Sequence, residues 1–236
     1  MESEITSIII LGYKELEKFK KTVETIIQNT HKKETPYEII VLLNNAEQGI
    51  IDYVTNNKNY FDKIIIEKEN IGVSKGYNKA VKESTGKYLC FFNSDYYVQE
   101  MWLKSMIICF EHQPNIGICS CCTNVTGNIP EKTAIDSVLY DDYIESDCAI
   151  ANMFTTKEIF KEVEGFDETY FVAFLDLDLN EKIKAKGYRV FVNRKTFAIH
   201  DYMSGKEATI SKETNAGRNY FHRKWGAEVS DLYKWA

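Results

Sequence analysis

No apolar run in this 236-residue sequence approaches the roughly 18 residues that raise the question of a membrane span. The opening stretch, MESEITSIIILGYKELEK, sets acidic side chains around a short apolar run, unlike the basic start and apolar core of a secretory leader. Both absences lead to the expectation of a cytoplasmic protein. Positive charge is scarce too: 29 Lys and Arg stand against 35 Asp and Glu, for a formal charge of −6. A general phosphate-backbone binder shows a basic domain or stripe, so nucleic acid is not an expected partner. Arginine occurs only at Arg189, Arg194, Arg218 and Arg223. No linker, repeat or low-complexity tract divides the chain, and residues 1–236 are expected to form one domain.

The six cysteines lack the spacing of a metal site. Cys119, Cys121 and Cys122 cluster, but no second pair stands at zinc-ligand spacing. They lie in IGICSCCT, which reads as a buried strand, and with Cys90, Cys109 and Cys148 they are expected to be reduced core thiols.

What the chain does contain is alternation. ITSIIIL (residues 5–11) is a β-branched run suited to burial on both faces. Leu16, Phe19, Val23, Ile26 and Ile27 then recur at helical spacing. YEIIVLL, a short helix near 50–56, KIIIE, a helix capped by Ser74 and ending near Gly86, and KYLCFF follow in turn. This order predicts a doubly wound, mostly parallel α/β sheet with right-handed crossovers. Residues 99–236 are less regular: a helix near 99–112, the IGICSCC strand, a polar excursion or edge hairpin over 123–146, helices at 155–163 and 177–186, and strands YRVFV and TFAI. This half is expected to cover the first.

Ligands of open parallel sheets bind outside the carboxyl ends of the strands. Polar segments follow all four strands there: Gly12 to Glu15, Asn44 to Glu47, ENIGVSKGYNKA and Asn93-Ser94-Asp95. Gly72 and Gly76 flank a helix start, whose free N–H groups and dipole favour an anion, with Lys75 adding charge. Asn93, Ser94 and Asp95 are equally suited to a turn and to a hard cation.

The segment ENIGVSKGYNKAVKESTGKYLCFFNSD resembles the donor-binding segment of family 2 glycosyltransferases of the GT-A fold, with a glycine-asparagine loop followed by an N-x-D form of their D-x-D motif. GFDETYFVAFLDLDLNEKIKAKGYRV is similar to their acceptor-side GGFDE and acidic helix-opening motifs, and AIHDYMSG to the place of a metal-binding histidine. The three appear in family order across nearly the whole chain, closest to the bacterial surface-polysaccharide, rhamnosyltransferase-like branch. The resemblance implies a Rossmann-like GT-A fold whose residues 1–98 bind a UDP-, dTDP- or GDP-sugar. Residues 99–236, with a C-terminal helix, would bind a glycan, lipid-linked or glycoprotein acceptor. It implies donor contacts from Leu11, Gly12, Tyr13 and Glu15, from Asn44, Asn70, Gly72, Lys75 and Asn78, and from Asn93, Ser94 and Asp95. Asp95 and His200 would hold Mn²⁺ or Mg²⁺. Asp176 would take the acceptor proton in an inverting transfer, with Asp178 orienting the acceptor or raising the base's pKa by like charge.

Plainer readings stand beside these. Asp176 and Asp178 suit the first turn of a helix, His200 suits a structural role, and Trp102, Phe160, Phe166 and Phe174 suit a core or pocket wall. RNYFHRKWG resembles the family's C-terminal helix, whose Arg218, His222 and Arg223 suit phosphates, anionic lipid at the membrane's inner face, or solvent. Leu43 stands where relatives place a base-contacting Asp, which leaves the nucleobase open, and Leu175 stands where they place Glu, which removes a supporting carboxylate from the acidic motif. A nucleotidyltransferase is the second enzyme class considered, although LGYKELEK lacks its glycine- and arginine-rich phosphate loop. A non-catalytic nucleotide-sugar or glycan-binding module is the third.

Overall fold

Strand β1 (Thr6–Gly12) is buried at every position, as a β-branched run without a polar face requires. It lies between β2 (Tyr37–Asn44) and β4 (Tyr88–Phe92), with β3 (Lys63–Glu67) outside β2, and all four are parallel. In the computed structural model, residues 4–124, 143–150, 152–201 and 212–231 are described. The period of two sorts the strand side chains into two cores. Ile8, Ile10, Val41 and Phe92 share one with Phe19 and Val23 of α1 (Leu16–Gln28) and Val54 of α2 (Gln48–Asn56). Ile9, Leu11, Leu42 and Phe91 share the other with Tyr77 and Ala80 of α3 (Val73–Glu83). Helices α1 and α2 therefore carry the chain outward to β3 along one face, and α3 returns it along the other to β4. Strand order reverses between β1 and β4, which is where a crevice opens.

The rest of the chain runs β5 (Tyr96–Val98), α4 (Trp102–His112), β6 (Ile116–Thr123), β7 (Tyr143–Glu145), β8 (Phe154–Thr156), α5 (Lys157–Glu162), α6 (Leu175–Ala185), β9 (Arg189–His200) and α7 (Lys212–Asp231). The sheet order is β3-β2-β1-β4-β8-β6-β9-β5, with β7 also on β9. Strand β8 enters antiparallel between β4 and β6, and β5 and β7 lie antiparallel on β9. The sheet is the mixed, mostly parallel one expected. Four details differ. β5 and β8 are three-residue strands, too short to show alternation. YRVFV and TFAI are a single strand, β9, carried through a register shift opposite Cys121 and Cys122. Ser74 does not cap α3, which begins one residue earlier behind Gly72. Helix α7 bends at Gly226, whose φ is 84°. Residues 125–142 of the expected excursion lie outside the described residues.

Cys90, Cys109, Cys119 and Cys121 are core residues with no exposure. Burial pushes the Cys121 thiol up to about 12, which removes its nucleophilic form at neutral pH. At the opposite edge of the sheet from the crevice, Glu38 is 8 % exposed. Its Oε1 accepts from Ser7 Oγ at 2.6 Å, Thr85 N at 2.6 Å and Thr85 Oγ1 at 3.0 Å. Burial works to raise its pKa, but these hydrogen bonds outweigh it and leave the value lowered. Since the folded-state pKa lies below the unfolded one, the stabilisation is present above the ordinary Glu range and is lost as pH falls through the lowered value. Glu38→Ala strands three donors and is expected to cost about 2–3 kcal/mol in urea unfolding at pH 7. An unchanged midpoint would show that the staple contributes nothing.

Candidate active site at the carboxyl edge of the sheet

The β1 exit is narrow. A Cβ on Gly12 would stand 3.1 Å from Leu43 Cδ2 and 3.2 Å from Ile50 and Phe19 atoms, a fit tighter than most packing contacts. Leu11 and Leu43 are buried in the two cores, and neither presents a side chain to a ligand from there. Tyr13 and Glu15 are exposed beyond the strand, with Glu15 in the left-handed region at φ 65°.

Asn44, expected to meet the donor, is instead 3 % exposed and tied to the loop after β3. Its Oδ1 accepts from Ile71 N at 2.9 Å, and its Nδ2 donates to Asn70 Oδ1 at 3.0 Å and Gly72 O at 3.2 Å. Asn70 Oδ1 also accepts from Gly72 N at 3.0 Å. These amides are scaffold. The same loop corrects the expectation of an open helix end. Val73 N donates to the Phe171 carbonyl at 2.6 Å. A Cβ on Gly72, at φ 83°, would meet Phe171 Cδ2 at 2.8 Å. With the Gly72 and Val73 N–H groups taken, Phe171 covers part of the start of α3. Asn78 clips the 165–168 loop through Phe166 O at 2.8 Å and Phe166 N at 3.0 Å. Lys75 is exposed.

The turn after β4 holds the decisive juxtaposition. Asn93, Ser94 and Asp95 carry the chain into β5, whose Tyr96 pairs with His200 of β9. That register sets His200 Nε2 3.1 Å from Asp95 Oδ2 and stacks the Tyr96 ring on the imidazole at 4.2 Å, tilted by 11°. Asp201 N closes the turn on Asp95 O at 2.9 Å, while Asp201 Oδ2 accepts from Tyr97 OH at 2.7 Å. Asp95 Oδ1 is buried with no hydrogen-bond partner among the described residues. An unsatisfied carboxylate oxygen next to an imidazole is a donor set that fits Mn²⁺ or Mg²⁺. Among the described residues no group of three or more His, Cys, Asp or Glu converges on one point, so the described part of the site offers a pair. Asn93 turns its amide oxygen back to Tyr77 OH at 3.0 Å.

Asp176 faces the same place. A cleft of about 300 Å³ is lined by Asn93, Tyr96, Asp176 and His200, with Phe174 and Met153 among its apolar walls. Burial pushes the Asp176 carboxyl up, partly offset by the backbone N–H groups of Leu177 and Asp176 itself. Asp176 does lie in the first turn of α6, where its Oδ1 accepts from Leu177 N at 3.0 Å, while the N-cap position is Phe174, in the left-handed region at φ 69° with no side-chain cap. Asp178 does not join it. It is fully buried and accepts at Oδ1 from Tyr170 OH at 3.2 Å, Trp225 Nε1 at 2.8 Å and Lys224 Nζ at 2.7 Å. The Asp176 shift comes from burial and backbone hydrogen bonds rather than from Asp178, and Asp178 Oδ2 is buried without a hydrogen-bond partner among the described residues. Trp102, Phe160 and Phe166 are core. Arg218 lies 5.7 Å over the Phe174 ring, and His222 and Arg223 are exposed. Tyr77, Tyr96 and Thr214 are cleft residues not singled out in the sequence. Tyr77 was detectable, since it shares the buried stripe of α3 with Ala80 and Val81.

Residues 7–169 match the model of glycosyl transferase family 2. The chain belongs to that family. The match covers the crevice and Asp95 but ends before Asp176 and His200, whose place in the site rests on the geometry above. AglE, a glycosyltransferase of Haloferax volcanii, is 28% identical over 100 residues, 42% of this chain and 33% of its own. The match thus spans about a third of that relative's length. GalNAc-T7, solved with UDP, GalNAc and Mn²⁺, superposes with a TM-score of 0.77 at 12% identity, covering 98% of this chain and 49% of that one. The mannosyltransferase PcManGT of Pyrobaculum calidifontis, solved with GDP-Man and Mn²⁺, gives 0.70 at 12% identity, covering 98% and 69%. The fold of this chain is accordingly GT-A.

Proposed function

We propose that this glycosyltransferase moves a sugar, with inversion, from a nucleotide diphosphate donor to an acceptor hydroxyl on a glycan, lipid-linked oligosaccharide or glycoprotein. The observation that carries the reading is one cleft lined by both Asp176 and His200, with Asp95 bonded to the latter. UDP with GalNAc in one structural neighbour and GDP-Man in another, each with Mn²⁺, support the substrate class. Residues 1–98 supply the donor crevice and 99–236 the acceptor side. Asp95 and His200 would hold Mn²⁺ or Mg²⁺; when bound, the cation neutralises charge on the departing diphosphate.

Asp176 takes the proton of the acceptor hydroxyl as that oxygen attacks the anomeric carbon from the face opposite the leaving group. The carbon–oxygen bond to the diphosphate breaks as the new bond forms, and the nucleotide diphosphate departs with the electron pair. An acceptor hydroxyl ionises far above neutral pH, so the base must sit within hydrogen-bond reach at that moment. The Tyr77 hydroxyl holds Asn93 by its oxygen at the cleft wall, and the Tyr96 ring holds His200 in plane. No described helix is long and apolar enough to cross a membrane. We place the reaction in the cytoplasm, with lipid-linked acceptors met peripherally at the membrane's inner face.

A thermal-shift panel of UDP, dTDP and GDP and their sugars tests this. At 100 times Kd, a ligand confined to the native state adds about 2.7 kcal/mol, or roughly 5–10 °C for a chain of this size. One nucleobase is expected to give that shift with Mn²⁺ and to lose it in EDTA. No shift with any nucleotide would overturn the reading.

A further inference from the structure

Helix α6 begins without a side-chain cap, so its first turn, which carries Asp176, must be held from outside. What holds it is α7. Lys224 bridges two carboxylates that bracket the turn, at 2.7 Å from Asp167 Oδ2 and 2.7 Å from Asp178 Oδ1. Tyr220 OH adds a bond to Asp167 Oδ2 at 3.1 Å, and Trp225 Nε1 adds one to Asp178 Oδ1 at 2.8 Å. Between these ends Phe221, 1 % exposed, packs on Phe174 with ring centroids 5.8 Å apart. A Cβ on Gly217 would lie 2.9 Å from the Ala173 carbonyl. The helix backbone itself is thus pressed against the cleft wall.

Asp176 and Asp178 stand about 200° apart around the helix axis. Rotation of the turn therefore moves both carboxylates together, and a bond that fixes Asp178 on one side fixes Asp176 on the other. We propose that Lys224 and Trp225 are positioning residues, a clasp that sets the rotation of the first turn of α6 and so aims Asp176 into the cleft. The inference rests on the reading of Asp176 as the base. Burial opposes charging of Lys224, yet its hydrogen bonds to Asp167 and Asp178 outweigh burial and raise its pKa. The clasp is charged throughout the physiological range.

The test compares Lys224→Met, Lys224→Arg and Trp225→Phe with the unaltered protein. It uses hydrogen–deuterium exchange across 167–178, and kcat and Kd for the nucleotide sugar giving the largest thermal shift. In Lys224→Met, exchange in 167–178 is expected to rise with the parallel strands unchanged. Its kcat should fall by about 10²-fold, the cost of a misplacement near 1 Å, while donor Kd moves less than about threefold. Lys224→Arg should recover most of the loss, and Trp225→Phe should show the same pattern in weaker form. Unchanged exchange, or unchanged kcat despite increased exchange, would overturn the clasp. If Lys224→Met does not fold, Trp225→Phe decides by the same two readouts. Asp176→Asn separates the two claims: retained turnover there overturns the base, whereas the exchange of Lys224→Met still judges the clasp.

Discussion

Asp176→Asn is expected to remove turnover, leave the donor bound, and raise the melting temperature. The amide copies the shape of the carboxylate but cannot accept the acceptor proton, and loss of a general base costs about 10²–10⁴-fold. Donor Kd should stay within a few-fold, since the proposed role of Asp176 lies on the acceptor side of the reaction. The gain in stability follows from the sign of the pKa shift. Burial raises the folded-state pKa of Asp176 above its unfolded value, so the folded state binds more protons between the two. Its stability falls as pH rises through that window, and at pH 7 the ionised group is a cost. Asparagine carries no such cost. In the unaltered enzyme kcat should climb with pH through the raised pKa, because the base works only when ionised. The groups facing Asp176 are Tyr77 and Tyr96, with Cys148 nearby and His200 across the cleft. Turnover of Asp176→Asn within tenfold of the unaltered enzyme would remove the base assignment.

The second large effect is expected at the cation pair. Asp95→Ala should weaken Mn²⁺-dependent donor binding by about 10²-fold or more, given that even outer-shell partners of metals are worth 10–100-fold. The fold should survive, because the Asp201 bond to residue 95 uses the backbone carbonyl and the His200 ring keeps its stack on Tyr96. His200→Ala removes the nitrogen and the stack together and should weaken binding comparably with some loss of stability. Titration calorimetry with and without EDTA reads both. EDTA should cost the unaltered enzyme what the Asp95→Ala substitution costs, and cost the variant little more. If EDTA left donor affinity of the unaltered enzyme unchanged, the pair would hold no catalytically relevant cation.

The parallel half of the sheet was legible because strands buried on both faces are written as β-branched runs, as in residues 5–11. Gly72 and Gly187 mark backbone turns at φ 83° and 86°, visible in the sequence as breaks. Short strands were not legible, since three residues cannot display a period, and β5 is the strand that brings His200 to Asp95. The separation of Asp178 from Asp176 is one the sequence does hold. Positions two apart on a helix do not share a face, so the second carboxylate of LDLD had to point away from the first. Its partner could not be foreseen, because Trp225 lies 47 residues further along. Asn44, Asn70 and Asn78 illustrate the reverse case. Polar residues near strand ends read as ligand contacts, but backbone groups in tight loops need partners too, and these amides supply them here.

The placement of β5 has a consequence for the order of assembly. Asp95 and His200 are 105 residues apart in the chain, and at about 5–20 residues per second a ribosome needs roughly 5–20 s to cover that distance. During that interval β1 to β4 can pair with one another, while β5 waits for a neighbour that has not been made. Contacts of such separation also close late in any folding route, because the intervening loop entropy must be met first. On the proposed reading, a chain stalled before residue 200 owns a nucleotide crevice but no means of gripping a diphosphate through a cation. Unfinished copies would thus leave the cell's activated sugars unspent.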